Sequence, residues 1–325
     1  MKGASHQQNQ DAVAFRVGEG DDPPVVLAVS DGHGSPRSFR SSVGSRFAVE
    51  VATEITSEFL DGFRSSAASD IKREAERSLT TELVKRWKEK VKEHFDKEPF
   101  RDDELEYLEQ KAGPSARRAI DEEVANATEK KGDHDDALKA HYLAYGATLL
   151  IVAIGARFVF YLQLGDGDIL AVSDDRKVEH PLPPDETLLA NETTSLCMGS
   201  AQKLFRFRFQ STQNGPPALI LASTDGYSNS FSTPDDFDKV GSDLLGFIQG
   251  EGDGWDRVER ELPSWLNEAS QAGSGDDVTL GIICRENVIR SGCKKPTPDD
   301  AKPLVIDGND SAPPPTADRT QGDDR

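Results

Sequence analysis

The sequence predicts an α+β fold whose strands gather into two stacked sheets or a barrel. Short runs of apolar and β-branched residues, separated by Gly, Asp and Pro turns, read as strands near the start of the chain and again after Tyr145. Between them, and again late in the chain, apolar residues recur every four positions, the period of a helix face. Strand runs and helix runs are segregated, which argues for separate layers rather than alternating β-α units.

The first strands cover Ala12 to Val17 and Val25 to Ser30, joined by the turn residues Gly18 to Pro24. Val43, Phe47, Val51, Ile55 and Phe59 then form a helical stripe that faces a core. The charged stretch 65–139 carries a second stripe, Ile71, Ala75, Leu79, Leu83, Trp87 and Val91, and a weaker helix over Ser115 to Lys130. Its charges fit a solvated helix face with i,i+4 pairs. Strands follow at 148–154, 157–164, 169–173, 204–210, 219–223 and 278–284, and an amphipathic helix pair fills 236–272. The domain is expected to span 1–293, while 294–325, rich in Pro and Asp, is expected to be disordered.

Composition narrows the classes of function. A net charge of -20 disfavours nucleic acid and anionic lipid as partners, because both would repel this surface. The apolar stretch around Leu149 to Ala156 is far shorter than the roughly 20 residues of a membrane span, and no signal peptide is recognisable, so cytoplasmic residence is expected. Cys197, Cys284 and Cys293 are odd in number and lack CxxC spacing, which argues against disulfides and thiolate zinc.

Five acidic residues share one context, the end of a strand or the tight turn beside it: Asp11, Asp31 in Asp31-Gly32-His33-Gly34, Asp166 in Gly165-Asp166-Gly167-Asp168, Asp225 in Asp225-Gly226, and Asp276 in Gly275-Asp276-Asp277. A carboxylate at a strand end has a defined direction. Several from the same sheets can aim at one point, and hard cations such as Mg²⁺ or Mn²⁺ take oxygen ligands of this kind. An isolated Asp-Gly is an ordinary turn, so the weight lies in the order of the motifs.

That order, with Asn9-Gln10-Asp11 first and Gly146-Ala147-Thr148 in the middle, resembles the metal-dependent protein phosphatases of type 2C from residue 3 to about 285. The resemblance implies a four-layer α-β-β-α sandwich of two mainly antiparallel sheets, here with the charged helices of 65–139 as an insertion. It implies a phosphoserine/phosphothreonine phosphatase with two Mn²⁺ or Mg²⁺ ions, acting on the phosphoprotein of a cognate serine/threonine kinase. By that likeness Asp31 bridges both ions, the Gly32 carbonyl binds one, Asp225 and Asp276 hold the other, and Asp11 lies in or just behind the shell. Asp166, shared with Asp225, marks a third, weaker site. Paired cations lower the pKa of a bridging water, so that a metal-bridging hydroxide attacks phosphorus. The departing alkoxide needs a proton, and His33 beside Asp31 is the candidate general acid.

The sequence departs from the family pattern in three places. His6 stands where relatives carry a phosphate-binding Arg, so His6 itself or Arg37, Arg40 or Arg46 is expected to contact phosphate. Gly167 and Asp168 replace a Ser and an Arg, and Asp277 replaces an Asn. These departures support an alternative, a catalytically weak or inactive regulator of the same fold that binds a kinase or its substrate. Dispersal of the acidic residues along the chain disfavours a calcium-stabilised structural module.

Overall fold

The computed structural model describes residues 1–3, 9–20, 22–129, 139–183, 193–213, 215–250 and 252–292. His6, Cys293 and the 294–325 tail therefore lie outside the described residues. The strands are β1 (Ala12–Val17), β2 (Val25–Ser30), β3 (Leu149–Gly155), β4 (Phe158–Leu164), β5 (Asp168–Val172), β6 (Val178–Glu179), β7 (Arg206–Ser211), β8 (Leu219–Ser223) and β9 (Leu280–Cys284). They form a five-stranded sheet in the order β1-β2-β3-β4-β7 and a four-stranded sheet in the order β6-β5-β8-β9. Every pairing is antiparallel, with Val17 opposite Val25, Leu149 opposite Leu164 and Asp168 opposite Ser223.

The helices are α1 (Ser41–Gly62), α2 (Ala68–Glu74), α3 (Thr80–Lys97), α4 (Asp102–Ala112), α5 (Pro114–Glu129), α6 (Lys139–Ala144), α7 (Asp225–Ser228), α8 (Pro234–Gln249), α9 (Gly254–Ala272) and α10 (Glu286–Gly292). A wide π turn, Ala75–Leu79, joins α2 to α3.

Strand periodicity explains why the central strands are apolar on both faces. In β2, Val26 and Ala28 pack with the helices of the first layer, while Leu27 and Val29 meet the second sheet. In β4, Phe158, Phe160 and Leu162 take the first side and Val159 and Tyr161 the second. In β8, Ile220 and Ala222 face the first sheet, whereas Leu219 and Leu221 meet Leu244, Leu245 and Val258 of α8 and α9. The result is a helix layer, two sheets and a second helix layer, each interface stabilised at about 1.5–3 kcal/mol per fully buried large aliphatic side chain.

The stripe from Ile71 to Val91 is buried in the same core as α1. Trp87 is 1% exposed. Its indole N–H donates to the Gly44 carbonyl at 3.0 Å, which ties α3 to α1. The outward face carries short-range pairs such as Arg77–Glu74 and Lys92–Asp96. Helices α4 and α5 form a small separate core of Leu105, Leu108, Ala116 and Ile120. Sequence periodicity predicts one helix here, at Ser115 to Lys130; the structure adds α4, whose heavily charged first turn masks a short apolar repeat.

Strands β2, β4 and β8 end, and β3, β5 and β9 begin, at one edge of the sandwich. The Asp-bearing turns are gathered there by topology.

Candidate active site

Asp31 leaves the end of β2 and is pinned by Thr148 at the start of β3. Its N–H donates to Thr148 Oγ1 at 2.9 Å, its carbonyl accepts from Thr148 N at 2.8 Å, and Ser30 Oγ donates to the Thr148 carbonyl at 2.6 Å. The Thr of Gly146-Ala147-Thr148 is thus the clamp that orients Asp31. A lone hydroxyl at the head of an apolar strand was the signal for it.

His33 donates its backbone N–H to the Gly146 carbonyl at 3.1 Å. A Cβ on residue 146 would stand 2.5 Å from His33 Cδ2, so only glycine lets the imidazole lie against this loop. Across the cleft, Gly165 takes φ 106° to turn the chain after β4 and presents Asp166, whose Oδ2 accepts from Thr193 Oγ1. Asp225 follows β8 and opens the short α7, with Oδ2 accepting from Asn229 Nδ2 at 3.0 Å. Asp276 precedes β9, and its Oδ1 accepts from Asp277 N at 2.8 Å.

These turns line one cavity of about 180 Å³, whose wall is Asp31, Gly32, His33, Gly34, Thr148, Asp166, Thr193, Asp225 and Asp276. Asp11 is not part of that wall. It stands behind Asp31, with Oδ2 accepting from Thr224 Oγ1 at 2.8 Å and a buried Oδ1 that has no hydrogen-bond partner. Asp277 has a different task from Asp276. Its two oxygens accept from Gly3 N at 2.6 Å and Gln10 N at 2.7 Å, holding the N-terminal residues against the turn that carries Asp276. Met1 adds a backbone pair with Val278, whose N–H donates to its carbonyl at 2.8 Å.

The candidate phosphate ligands are more scattered. Arg37 and Arg46 are exposed and outside the cavity wall. Arg40 is buried and points away, its guanidinium paired with Glu104. Among the described residues no Lys or Arg lines this cavity.

Packing these carboxyls together has an electrostatic consequence. Burial, followed by repulsion from Asp11 and Asp225, holds Asp31 well above the usual carboxylate range. Burial pushes Asp11 up to about 6, against the hydrogen bond from Thr224 that lowers it. Asp225 is raised by burial and by Asp166 and Asp276. Burial holds His33 below its ordinary value, and Asp166 pulls it back upward.

Among the described residues no three His, Cys, Asp or Glu side chains form a group that could hold a metal ion as they stand. The donor set nevertheless fits hard divalent cations. It consists of carboxyl oxygens with no sulfur, its members repel one another, and the unpartnered Asp11 Oδ1 lies buried beside them.

A family model described as Protein phosphatase 2C matches residues 2–267. The matched span stops short of Asp276, which the fold alone brings to the cavity. A bacterial serine phosphatase crystal structure superposes with TM-score 0.50 at 14% identity, covering 87% of this chain and 93% of that one. The serine/threonine phosphatase Stp1 from Staphylococcus aureus superposes with TM-score 0.50 at 13% identity, covering 88% and 92%. At these identities the likeness is one of fold. No curated protein sequence matches the chain.

Proposed function

Because this chain belongs to the protein phosphatase 2C family, we propose that it is a metal-dependent serine/threonine phosphatase, acting in the cytoplasm on the phosphoprotein of a cognate kinase. The observation that carries the reading is the shared cavity: Asp31, Gly32, His33, Asp166, Asp225 and Asp276, drawn from four separate turns, face one space. Among the described residues no helix is long and apolar enough to cross a membrane.

Asp31, the Gly32 carbonyl, Asp225 and Asp276 would hold two Mn²⁺ or Mg²⁺ ions, and Asp166 with Asp225 a third. When bound, the ions supply an activated water and neutralise phosphoryl oxygens. The chain's own groups do the rest. Thr148 fixes the direction of Asp31, and Thr224 holds Asp11 through its Oδ2. Asn229 orients Asp225 and Thr193 orients Asp166. His33, on the cavity wall between the Asp31 turn and Gly146, would give a proton to the departing serine or threonine oxygen. Burial disfavours its charged form, so this role weakens as pH rises.

The absence of a Lys or Arg from the cavity wall among the described residues favours the second reading, a regulator of the same fold with little or no turnover. One assay separates the two: phosphate release from a phosphothreonine peptide with Mn²⁺, Mg²⁺ or a chelator, for the parent and Asp225→Asn. Release that needs the cation and is lost in the variant is the expected result. A folded parent that is inactive with every metal and several phosphopeptides would leave the regulator as the reading.

A further inference from the structure

Arg40 lies outside the cavity, yet it is tied to the loop that seats His33. The side chain is 5% exposed and forms a two-pronged pair with Glu104, Nε to Oε1 at 2.8 Å and Nη2 to Oε2 at 2.7 Å. The remaining donors reach the carbonyls of Glu98 at 2.6 Å and Pro99 at 2.9 Å, at the corner between α3 and α4. Nη1 also donates to the Tyr145 hydroxyl at 2.7 Å. That hydroxyl, accepting from Arg40, also shares a hydrogen bond with His94 Nδ1 at 2.9 Å. Tyr145 is fully buried and directly precedes Gly146, the residue that accepts from His33 N and abuts the imidazole. Arg40 N meanwhile donates to the Ala144 carbonyl at 2.8 Å, so backbone and side chain grip the same loop.

A buried ion pair is a weak source of net stability, because desolvation offsets most of its Coulomb gain. A planar fork with every donor directed is, by contrast, a good spacer. We propose that Arg40, Tyr145 and Glu104 are positioning residues for His33, anchoring the Gly146 loop to the α3–α4 corner so that the imidazole is held in place. This rests on the reading of His33 as general acid. A displacement of about 1 Å at such a group can cost up to 100-fold in rate. The charged helical segment is therefore wired to the catalytic loop through the Arg40 guanidinium and the His94–Tyr145 hydrogen bond.

The test compares a phosphothreonine peptide, whose alkoxide leaves poorly, with p-nitrophenyl phosphate, whose phenolate leaves without help, in the presence of Mn²⁺. Tyr145→Phe removes only the hydroxyl, and Glu104→Gln keeps the shape while removing the charge; both are expected to fold. Each should lower kcat on the peptide roughly tenfold while KM and the aryl phosphate rate stay within about twofold. Independently of turnover, the ring NMR signals of His33 in the metal-free variants should be displaced, and those of exposed His180 should not. An equal fall on both substrates, or unmoved His33 signals, would overturn the proposal. His33→Asn is run alongside. If it lowers the peptide-to-aryl ratio while Tyr145→Phe does not, the positioning role alone fails. If it leaves the ratio unchanged, the general-acid reading fails and takes this inference with it.

Discussion

Asp11 offers a stability measurement that reads the charge state of the site without any substrate. Its carboxyl is pushed from 3.8 to about 6, chiefly by burial. A carboxyl raised in the folded state makes the fold bind the proton more tightly than the unfolded chain does. Stability from this group is therefore greatest at low pH and is lost as pH rises through about 6. The full difference corresponds to about 3 kcal/mol, of which roughly 1.4 kcal/mol is lost between pH 5 and pH 7.5. For a domain of this size that is about 3–6 °C in Tm. His33 and His94, both lowered by burial, act in the opposite sense over the same window. The informative quantity is thus the difference between the parent and Asp11→Asn. Thermal melts of the chelator-treated proteins at pH 5 and 7.5 should show the parent losing about 3–6 °C more than the variant over this step. Mn²⁺ at 100 times its Kd at pH 7.5 should stabilise the parent by about 3 kcal/mol there, and the same concentration should stabilise it less at pH 5, because cation and protons compete for the same oxygens. Identical pH dependence in parent and variant would refute the assignment of Asp11 as a buried, raised carboxyl beside the site.

Gly146→Ala sets a methyl 2.5 Å from His33 Cδ2 and should cut peptide hydrolysis by about 10- to 100-fold while the Tm stays within a few degrees, checked by steady-state kinetics and melting. Asp277→Ala leaves Gly3 N and Gln10 N without their shared acceptor. A loss of about 3 kcal/mol is expected in urea denaturation, with weaker Mn²⁺ binding by calorimetry as the Asp276 turn loosens.

The strands were legible wherever both faces are buried, as in β3 and β4, since a continuous apolar run leaves few other structures available. The short β6, with two residues and one of them charged, carries no such pattern, and it exists because Ala171 and Val172 offer it a pairing edge. The helical stripe from Ile71 to Val91 was equally clear in the sequence. Its burial against α1, which makes it part of the first core, depends on a crossing that no local period encodes.

The same division holds at the site. Residue order alone singled out Asp11, Asp31, Asp166, Asp225 and Asp276, because a carboxylate in a turn at a strand end already has a direction along the chain. The sequence also determined that the site is acidic and supplied with oxygen donors. Only the tertiary structure decided that these turns meet at one edge, that Asp11 stands behind them rather than in the wall, and that Asp277 clamps the N-terminal residues instead of facing the cavity. It also decided that the Arg40 guanidinium is buried against Glu104 and Tyr145 and lies outside the cavity wall. Chain order can say which carboxylates lie at strand ends. Their distances from one another, and hence their repulsion and their partners, arise only when the two sheets stack.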